Sequence, residues 1–259
     1  MTVSRTPVGS VALVGAGPGD PELLTRKAVR AIRGASVILA DDLVSDGVLR
    51  FARRSTRVVH VGKRGGCAST PQAFIEKLML AEALKGERVV RLKGGDPLVF
   101  GRGGEEAEHL RARGLAVEVV NGITAGLAAA TSLGVGLTHR EHAHGVIFVT
   151  GHARADGPPM HWPTLGVAAA QGLTLVIYMG VAAIADIRSG LLASLPADTP
   201  AALVQNASLP NQRNVVCTLA TMATTLVEEG IDSPAIIVVG DVLRGLRRVA
   251  EQLAPHQAA

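Results

Sequence analysis

The stretch RLKGGDPLVFGRGGEE at 91–106 sets Asp96, Arg102, Glu105 and Glu106 in a frame of glycines. Glycine lets a backbone take positive φ and approach a ligand closely. A loop that only reverses the chain has no need of so many charges beside so many glycines. The β-type run at 88–92 feeds a turn at Gly94, Gly95, Asp96 and Pro97. A second turn at 101–104 opens a helix at Glu105. The segment therefore reads as a ligand-binding wall at the carboxyl end of a strand.

Three other turns carry comparable signals. Gly15-Ala16-Gly17-Pro18-Gly19-Asp20 has the glycine density of a dinucleotide fingerprint without its spacing. Pro18 removes a backbone N–H that a phosphate would use, so a rigid turn shaping a non-phosphate pocket is expected. Asp41-Asp42 follows the second strand, where open α/β sheets place their ligands; locally it reads more readily as a solvated turn or N-cap. Lys63 and Arg64, flanked by Gly62 and Gly65, suit carboxylate or phosphate capture, or form a solvated turn. Their arrangement favours function, because four successive strand ends bearing glycines or charges would converge on one rim.

In the second half, His139, His142 and His144 invite a metal reading. No metal-ligand spacing lies on one element and no Cys is near, so no metal is expected. Arg140 reads as an anion clamp, and Met179 as core or as an apolar cofactor face. No nucleophile elbow or Walker A sequence is present.

The elements that must position these residues alternate between short β-branched runs and longer helical patterns, which predicts an α/β protein. Strands are expected at 11–14, 37–39, 58–61, 89–92 and 117–120, with helices at 22–33, from Pro71 to Gly86, and at 105–113. This half should form a mostly parallel sheet. A small-residue helix at 123–133 follows, then strands at 146–150, 173–178, 201–204, 215–219 and 236–239. Only the last two flank an obvious helix, at 222–229, so a mixed sheet is expected there. Domains are expected at 8–120 and 121–246, with a surface excursion at 153–163 and a flexible tail at 247–259.

The 259 residues, 47% hydrophobic and 19% charged, suit a soluble globular protein of one large domain or two small ones, each able to bury a core. One Trp and one Tyr leave few stacking platforms, which argues against single-stranded nucleic acid as a partner. Cys67 and Cys217 are far apart and outside any C-x-x-C pair, so free thiols are expected. No apolar run spans a membrane and no leader segment is evident, which points to the cytoplasm.

Taken together, GAGPGDPELLT (15–25), DDLVS (41–45), VGKR (61–64), RLKGGDP with FGRGGEE (91–106), LTHR (137–140), TLVIYMG (174–180) and SPAIIVVGDV (233–242) resemble the tetrapyrrole methylase family. The resemblance runs from about Val11 to Leu243, and VGKR, FGRGGEE and LTHR narrow it to the uroporphyrinogen-III C-methyltransferases. It implies two α/β domains with a cleft between them, a homodimer, and S-adenosylmethionine as methyl donor. The implied reaction methylates uroporphyrinogen III at positions 2 and 7, giving precorrin-2 for sirohaem or cobalamin. Another precorrin C-methyltransferase, or a non-catalytic tetrapyrrole-binding module, is the alternative.

By motif, the implied cofactor contacts are Pro18, Gly94, Gly95, Asp96, Val99, Thr124, Ala125, Met179 and Ala207. The implied catalytic residues are Asp41, Lys63, Arg102 and Glu105. Arg64, Arg102 and Arg140 would meet the substrate carboxylates. The chain departs from the family at Ala40 (commonly Tyr), Asn121 (Pro), Ala207 (Gly) and His142 (Tyr). The dehydrogenase and ferrochelatase module fused to some members has no counterpart in these residues, so methylation alone is expected.

Overall fold

The structure, a computed structural model, describes residues 9–62, 70–152, 157 and 159–246. Lys63, Arg64 and Cys67, residues 153–156 and 158 of the expected excursion at 153–163, and the expected tail at 247–259 lie outside them. The chain divides into two compact units, Met1–Thr124 and Ala125–Ala259.

The first unit is built on five strands: β1 (Ser10–Gly15), β2 (Val37–Ala40), β3 (Arg57–His60), β4 (Arg88–Lys93) and β5 (Val117–Val120). They lie in the order β3-β2-β4-β1-β5 and every pairing is parallel. A parallel sheet is covered on both faces, which explains the near-continuous apolar runs. Alternate side chains serve opposite layers. Ile38, Val90 and Leu92 pack with Ala28 and Ile32 of α1 (Arg26–Gly34) and Val48 of α2 (Asp46–Leu49). On the opposite face, Leu13, Leu39 and Val89 pack with Ile75 and Met79 of α3 (Gln72–Leu84) and Leu110 of α4 (Gly103–Arg111).

Two helix starts differ from expectation for a local reason. Helix α1 begins at Arg26, not Glu22, because Thr25 caps it: its Oγ1 accepts the Ala28 N–H at 3.1 Å. Residues 21–23 form a separate 3-10 turn, capped by Asp20 through the Glu22 N–H at 2.8 Å. Helix α4 starts two residues before Glu105, with Arg102 at its N-cap in the left-handed region, φ 58°.

The second unit opens with α5 (Ala125–Leu133), then β6 (Gly145–Thr150), α6 (Trp162–Ala170), β7 (Leu173–Tyr178), α7 (Ile184–Leu192), β8 (Pro200–Gln205), β9 (Arg213–Thr218), α8 (Met222–Glu228) and β10 (Ala235–Val239). The sheet order is β6-β7-β10-β8-β9. Only β6 and β7 pair in parallel, so the sheet is mixed. Helices α2, α6 and α7 have no counterpart in the sequence reading; α6 begins at Trp162, inside the expected excursion. Its Ala- and Gly-rich sequence shows little apolar periodicity. Leu175, Ile177, Leu203 and Ile237 face Trp162, Ile187, Leu191 and Met222. On the other face, α5 comes close because Gly126 has no side chain: a Cβ there would lie 2.4 Å from the Tyr178 hydroxyl oxygen. That oxygen accepts the Gly126 N–H at 2.9 Å. Among the described residues, no helix is long and apolar enough to cross a membrane.

Cys217 is free and half-buried on β9, and burial pushes its thiol up to about 11. At pH 8 the reactive thiolate is therefore scarce. Peptide mapping after iodoacetamide treatment at pH 8 should show Cys217 modified at least about tenfold more slowly in the folded chain than in urea.

Candidate active site

Strand order singles out one edge of the first sheet. After β1 the chain crosses toward β2 with α1 on one face; after β4 it crosses toward β5 with α4 on the other. Strands β1 and β4 are neighbours, so the loops leaving their carboxyl ends diverge. Open α/β sheets bind ligands in the crevice that such a divergence leaves. The two glycine-rich turns of the sequence reading meet here. Gly17 and Gly95 form an isolated bridge, with the Gly95 N–H on the Gly17 carbonyl at 2.7 Å and the reverse bond at 3.2 Å. The Gly15–Gly19 turn is thus zipped to the neighbouring loop, which agrees with a pocket wall more than a phosphate cradle.

Two carboxylates hold this edge together. Asp96 is buried; its Oδ1 accepts the Leu98 N–H at 2.8 Å, and its Oδ2 accepts the Gly122 N–H at 3.1 Å and the Asn121 Nδ2 at 3.3 Å. Asn121, which stands where the family commonly has Pro, thereby gives Asp96 a donor that Pro lacks. Asp41 accepts the Leu43 N–H at 3.1 Å through Oδ1, and the Gly94 N–H through both oxygens at 3.2 and 3.1 Å. Burial raises its pKa above the usual carboxylate range, although Arg91, the Gly94 N–H and Lys93 pull it down. A carboxyl so placed holds its proton closer to neutrality than a solvated Asp, as proton exchange requires.

Glycine is required at two points of the rim. A Cβ on Gly94 would sit 2.5 Å from the Leu43 Cβ, and one on Gly122 only 2.2 Å from the Gly95 carbonyl oxygen. Beyond them, Arg102 meets Glu105 in a bidentate pair, Nε at 3.1 Å and Nη2 at 2.6 Å from Oε2. Both side chains are more than half exposed, so the pair contributes little to stability and can exchange for a ligand carboxylate. Three large apolar side chains, Leu43, Leu98 and Phe100, stand open to solvent on the same loops. Their only signals in the sequence were an apolar residue inside a glycine-rich loop, for Leu98 and Phe100, and one beside the Asp41-Asp42 pair, for Leu43.

In the second unit β8 runs alongside β10 in the same sense as β7, so Met179 and Ala207 follow strand ends at one edge of that sheet. Met179 is 50% exposed at φ 53°. Ala207 is buried between Asn206 and Ser208, at φ 51° and 70°. Non-glycine residues in this region are uncommon and gather at ligand sites. Phe100 and Arg102 in the first unit share the trait, at φ 52° and 58°. Thr124 is buried where the first unit ends, and Ala125 starts α5.

Arg140 is placed differently. It lies on a turn closed by the His139–Ala143 bridge, which leads into the start of β6 at the opposite edge from Met179 and Ala207. A hollow of about 520 Å³ lies at that edge, lined by Glu141, His142, His144, Gln171, Asp241 and Arg244 among others. It contains none of the expected cofactor residues. His139, Glu141 and His142 bring ligand atoms within 4.8 Å of one another, a proximity the linear spacing had hidden. However, the two imidazoles stack 3.8 Å apart at 17°, and His139 Nδ1 already accepts the Glu141 N–H at 3.2 Å. Near-parallel rings do not converge on one point as a shared ion requires.

Gly122→Ala should cost about 2 kcal/mol or more through backbone overlap, read as a lowered urea midpoint. The control is Gly104→Ala in α4, where an added Cβ meets nothing within 4 Å. It should leave stability unchanged or raise it by up to about 1 kcal/mol.

Comparison with known proteins agrees with this architecture. Residues 10–223 match the family model for tetrapyrrole (corrin/porphyrin) methylases. A uroporphyrinogen-III C-methyltransferase from Pseudomonas aeruginosa is 53% identical over 239 residues, 92% of this chain and 96% of that protein. The crystal structure of a uroporphyrin-III C-methyltransferase from Thermus thermophilus, complexed with S-adenosylhomocysteine, superposes with a TM-score of 0.77 at 42% identity, covering 91% of this chain and 99% of that one. A cobalt precorrin-4 methyltransferase superposes with a TM-score of 0.81 at 26% identity, covering 93% and 98%. A family match over most of the chain, joined to a switch-point edge closed by its GPGD and GGD turns, places this protein in the tetrapyrrole methylase family.

Proposed function

We propose that the chain is an S-adenosylmethionine-dependent C-methyltransferase that methylates uroporphyrinogen III at positions 2 and 7 to give precorrin-2. The observation that carries this reading is the near-full-length match, at 53% identity, to a protein of that activity. Of the motifs that narrow the family, FGRGGEE falls on the described edge of the first unit, whereas LTHR lies in the second unit and Lys63 and Arg64 of VGKR are outside the described residues. The relative from Thermus thermophilus supports the donor assignment, because its crystal structure holds S-adenosylhomocysteine, the demethylated donor.

The residues at hand fit both ligands. Gly94 and Gly95 offer bare backbone, held by the Asp96 carboxylate, against which a nucleoside donor can lie. The exposed Leu43, Leu98 and Phe100 suit a broad macrocycle with an apolar face. Its carboxylate arms call for guanidinium groups. Arg102 answers by exchanging Glu105 for a substrate arm. Arg64 and Arg140 are assigned to the more distant arms. Bound S-adenosylmethionine supplies an already activated methyl sulfonium, so the chain's main task is alignment. Pro18, Val99, Thr124 and Ala125, with Met179 and Ala207, are assigned to that alignment.

Methylation of a ring carbon leaves positive charge that loss of a proton relieves. Asp41 is assigned to that proton, with its raised proton affinity as support. Lys63 is assigned with it by motif, and Glu105, once released by Arg102, joins them. We place the enzyme in the cytoplasm as a homodimer, as the family resemblance implies, feeding sirohaem or cobalamin synthesis.

Incubation with uroporphyrinogen III and S-adenosylmethionine should give a product heavier by two methyl groups. Turnover of a later precorrin instead would assign a different ring carbon, and ligand binding without S-adenosylhomocysteine release would make the chain a binding module. Asp96→Ala removes the acceptor of the Leu98 and Gly122 amides, and should weaken donor binding by about tenfold or more in calorimetry. Unchanged donor affinity would remove Asp96 from this role. Arg102→Ala should cut kcat/KM for the tetrapyrrole by about tenfold or more while donor affinity stays within about twofold; a fully active variant excludes Arg102 from the site.

A further inference from the structure

Beneath the rim lies a group of charges that the proposed reaction does not use directly. Arg91 and Lys93 are alternate residues of β4, so both leave the sheet on the face that α3 and α4 cover. Each side chain is 5% exposed, and Glu106, which enters from α4, is 0% exposed. A single oxygen of Glu106, Oε1, accepts from Arg91 Nε at 3.3 Å, Lys93 Nζ at 3.2 Å and Gln72 Nε2 at 3.0 Å. Its Oε2 has no hydrogen-bond partner among the described residues. Two buried cations thus share one buried anion.

Burying such ions costs several kcal/mol each, and an apolar cluster of like volume commonly serves stability as well or better. A structural role alone explains the arrangement poorly. Charge balance points elsewhere. The second anion needed to neutralise Arg91 and Lys93 is Asp41. Arg91 Nη1 donates to the Leu39 carbonyl at 3.2 Å, two residues before Asp41, and Lys93 immediately precedes Gly94, whose N–H binds the Asp41 carboxylate. Two further carboxylates among the described residues have other surroundings. Asp42 of the same turn packs against Gly62, and from α3 Glu76 pairs with His109 at 3.1 Å.

We infer that Lys93 is a positioning residue for Asp41: its buried ammonium, anchored by Glu106, sets how tightly the Asp41 carboxyl holds a proton. The electrostatics run in the same sense. Arg91 and Lys93 both lower the Asp41 pKa against burial, and Asp41 in turn raises that of Lys93, which burial and Arg91 depress. The coupling is reciprocal, because each group titrates in the field of the other. For turnover, the inference rests on the reading of Asp41 as the proton-exchanging group.

The test measures both groups directly. In the full chain with carbon-13-labelled Asp, the Asp41 carboxyl midpoint is followed by NMR. Lys93→Gln should raise that midpoint by at least about one pH unit, a tenfold gain in proton affinity. Lys93→Arg, which keeps the charge, should restore it. The sign follows from Lys93's present action: a cation that holds the carboxylate ionised is removed, so the proton stays on to higher pH. Should Lys93→Gln fail to fold, the nearly isosteric Asp41→Asn gives the reciprocal measurement, in which the Lys93 ammonium should lose its proton at least about tenfold more easily. An unmoved Asp41 midpoint in Lys93→Gln, or an unmoved Lys93 midpoint in Asp41→Asn, overturns the inference. The acidic limb of kcat/KM separates this from the reading of Asp41. A shifted midpoint with an unshifted limb upholds the coupling and removes Asp41 from the rate-determining proton step.

Discussion

Backbone amides at the carboxyl ends of parallel strands point away from the ladder and need acceptors, and in the first unit two carboxylates supply them. Asp41 takes the amide of Gly94 and Asp96 takes that of Gly122. Each links neighbouring loops that leave the sheet in different directions. Without these acceptors the polar loop groups would be left unpaired at a partly buried edge, which costs more than a typical hydrogen bond contributes. The glycines and the carboxylates belong together. Only a bare backbone lets the loops approach closely enough for one carboxylate to reach across.

Close approach explains the distribution of strain and charge. Where the first unit's rim has room, a side chain is kept even at positive φ, as at Phe100 and Arg102, and Met179, Asn206 and Ser208 share that conformation at strand ends of the second unit. Each such residue spends a little stability to aim a side chain or a backbone amide. Charges are layered likewise. The exposed Arg102–Glu105 pair is cheap to break and suits exchange with a ligand, whereas the buried Arg91–Lys93–Glu106 set is costly to disturb and suits holding a field constant. By our proposal the outer layer meets ligands, and the inner one conditions the Asp41 carboxyl between them.

Much of this was legible in the linear chain. Alternating β-branched runs and helical stretches marked all ten strands, since buried strands need such runs whichever neighbours they find. Glycine-rich turns after strands β1 and β4 marked the rim, because positive φ and close approach leave a glycine signature. Helices α6 and α7 were harder to see, both being short and α6 rich in Ala, with their apolar faces set by the sheet beneath. The start of α1 depended on one capping hydroxyl at Thr25. His139, Glu141 and His142 lacked a shared element on which spacing could be judged, and a bridge at His139–Ala143 brought them together.

Residue types and order alone determined the α/β class, the family and the glycine-rich, charged loops of the candidate site, since each leaves a local mark in glycine, proline and charge. Strand order was decided only in three dimensions. It made β1 and β4 neighbours, and so joined Gly17 to Gly95, residues far apart in the chain. The same packing gave Asp96 its partners at Asn121 and Gly122, buried Lys93 against Glu106, and put Arg140 at the opposite edge of its sheet from Met179. Long-range pairing and burial are properties of neighbours in space, and no spacing along the chain encodes them by itself.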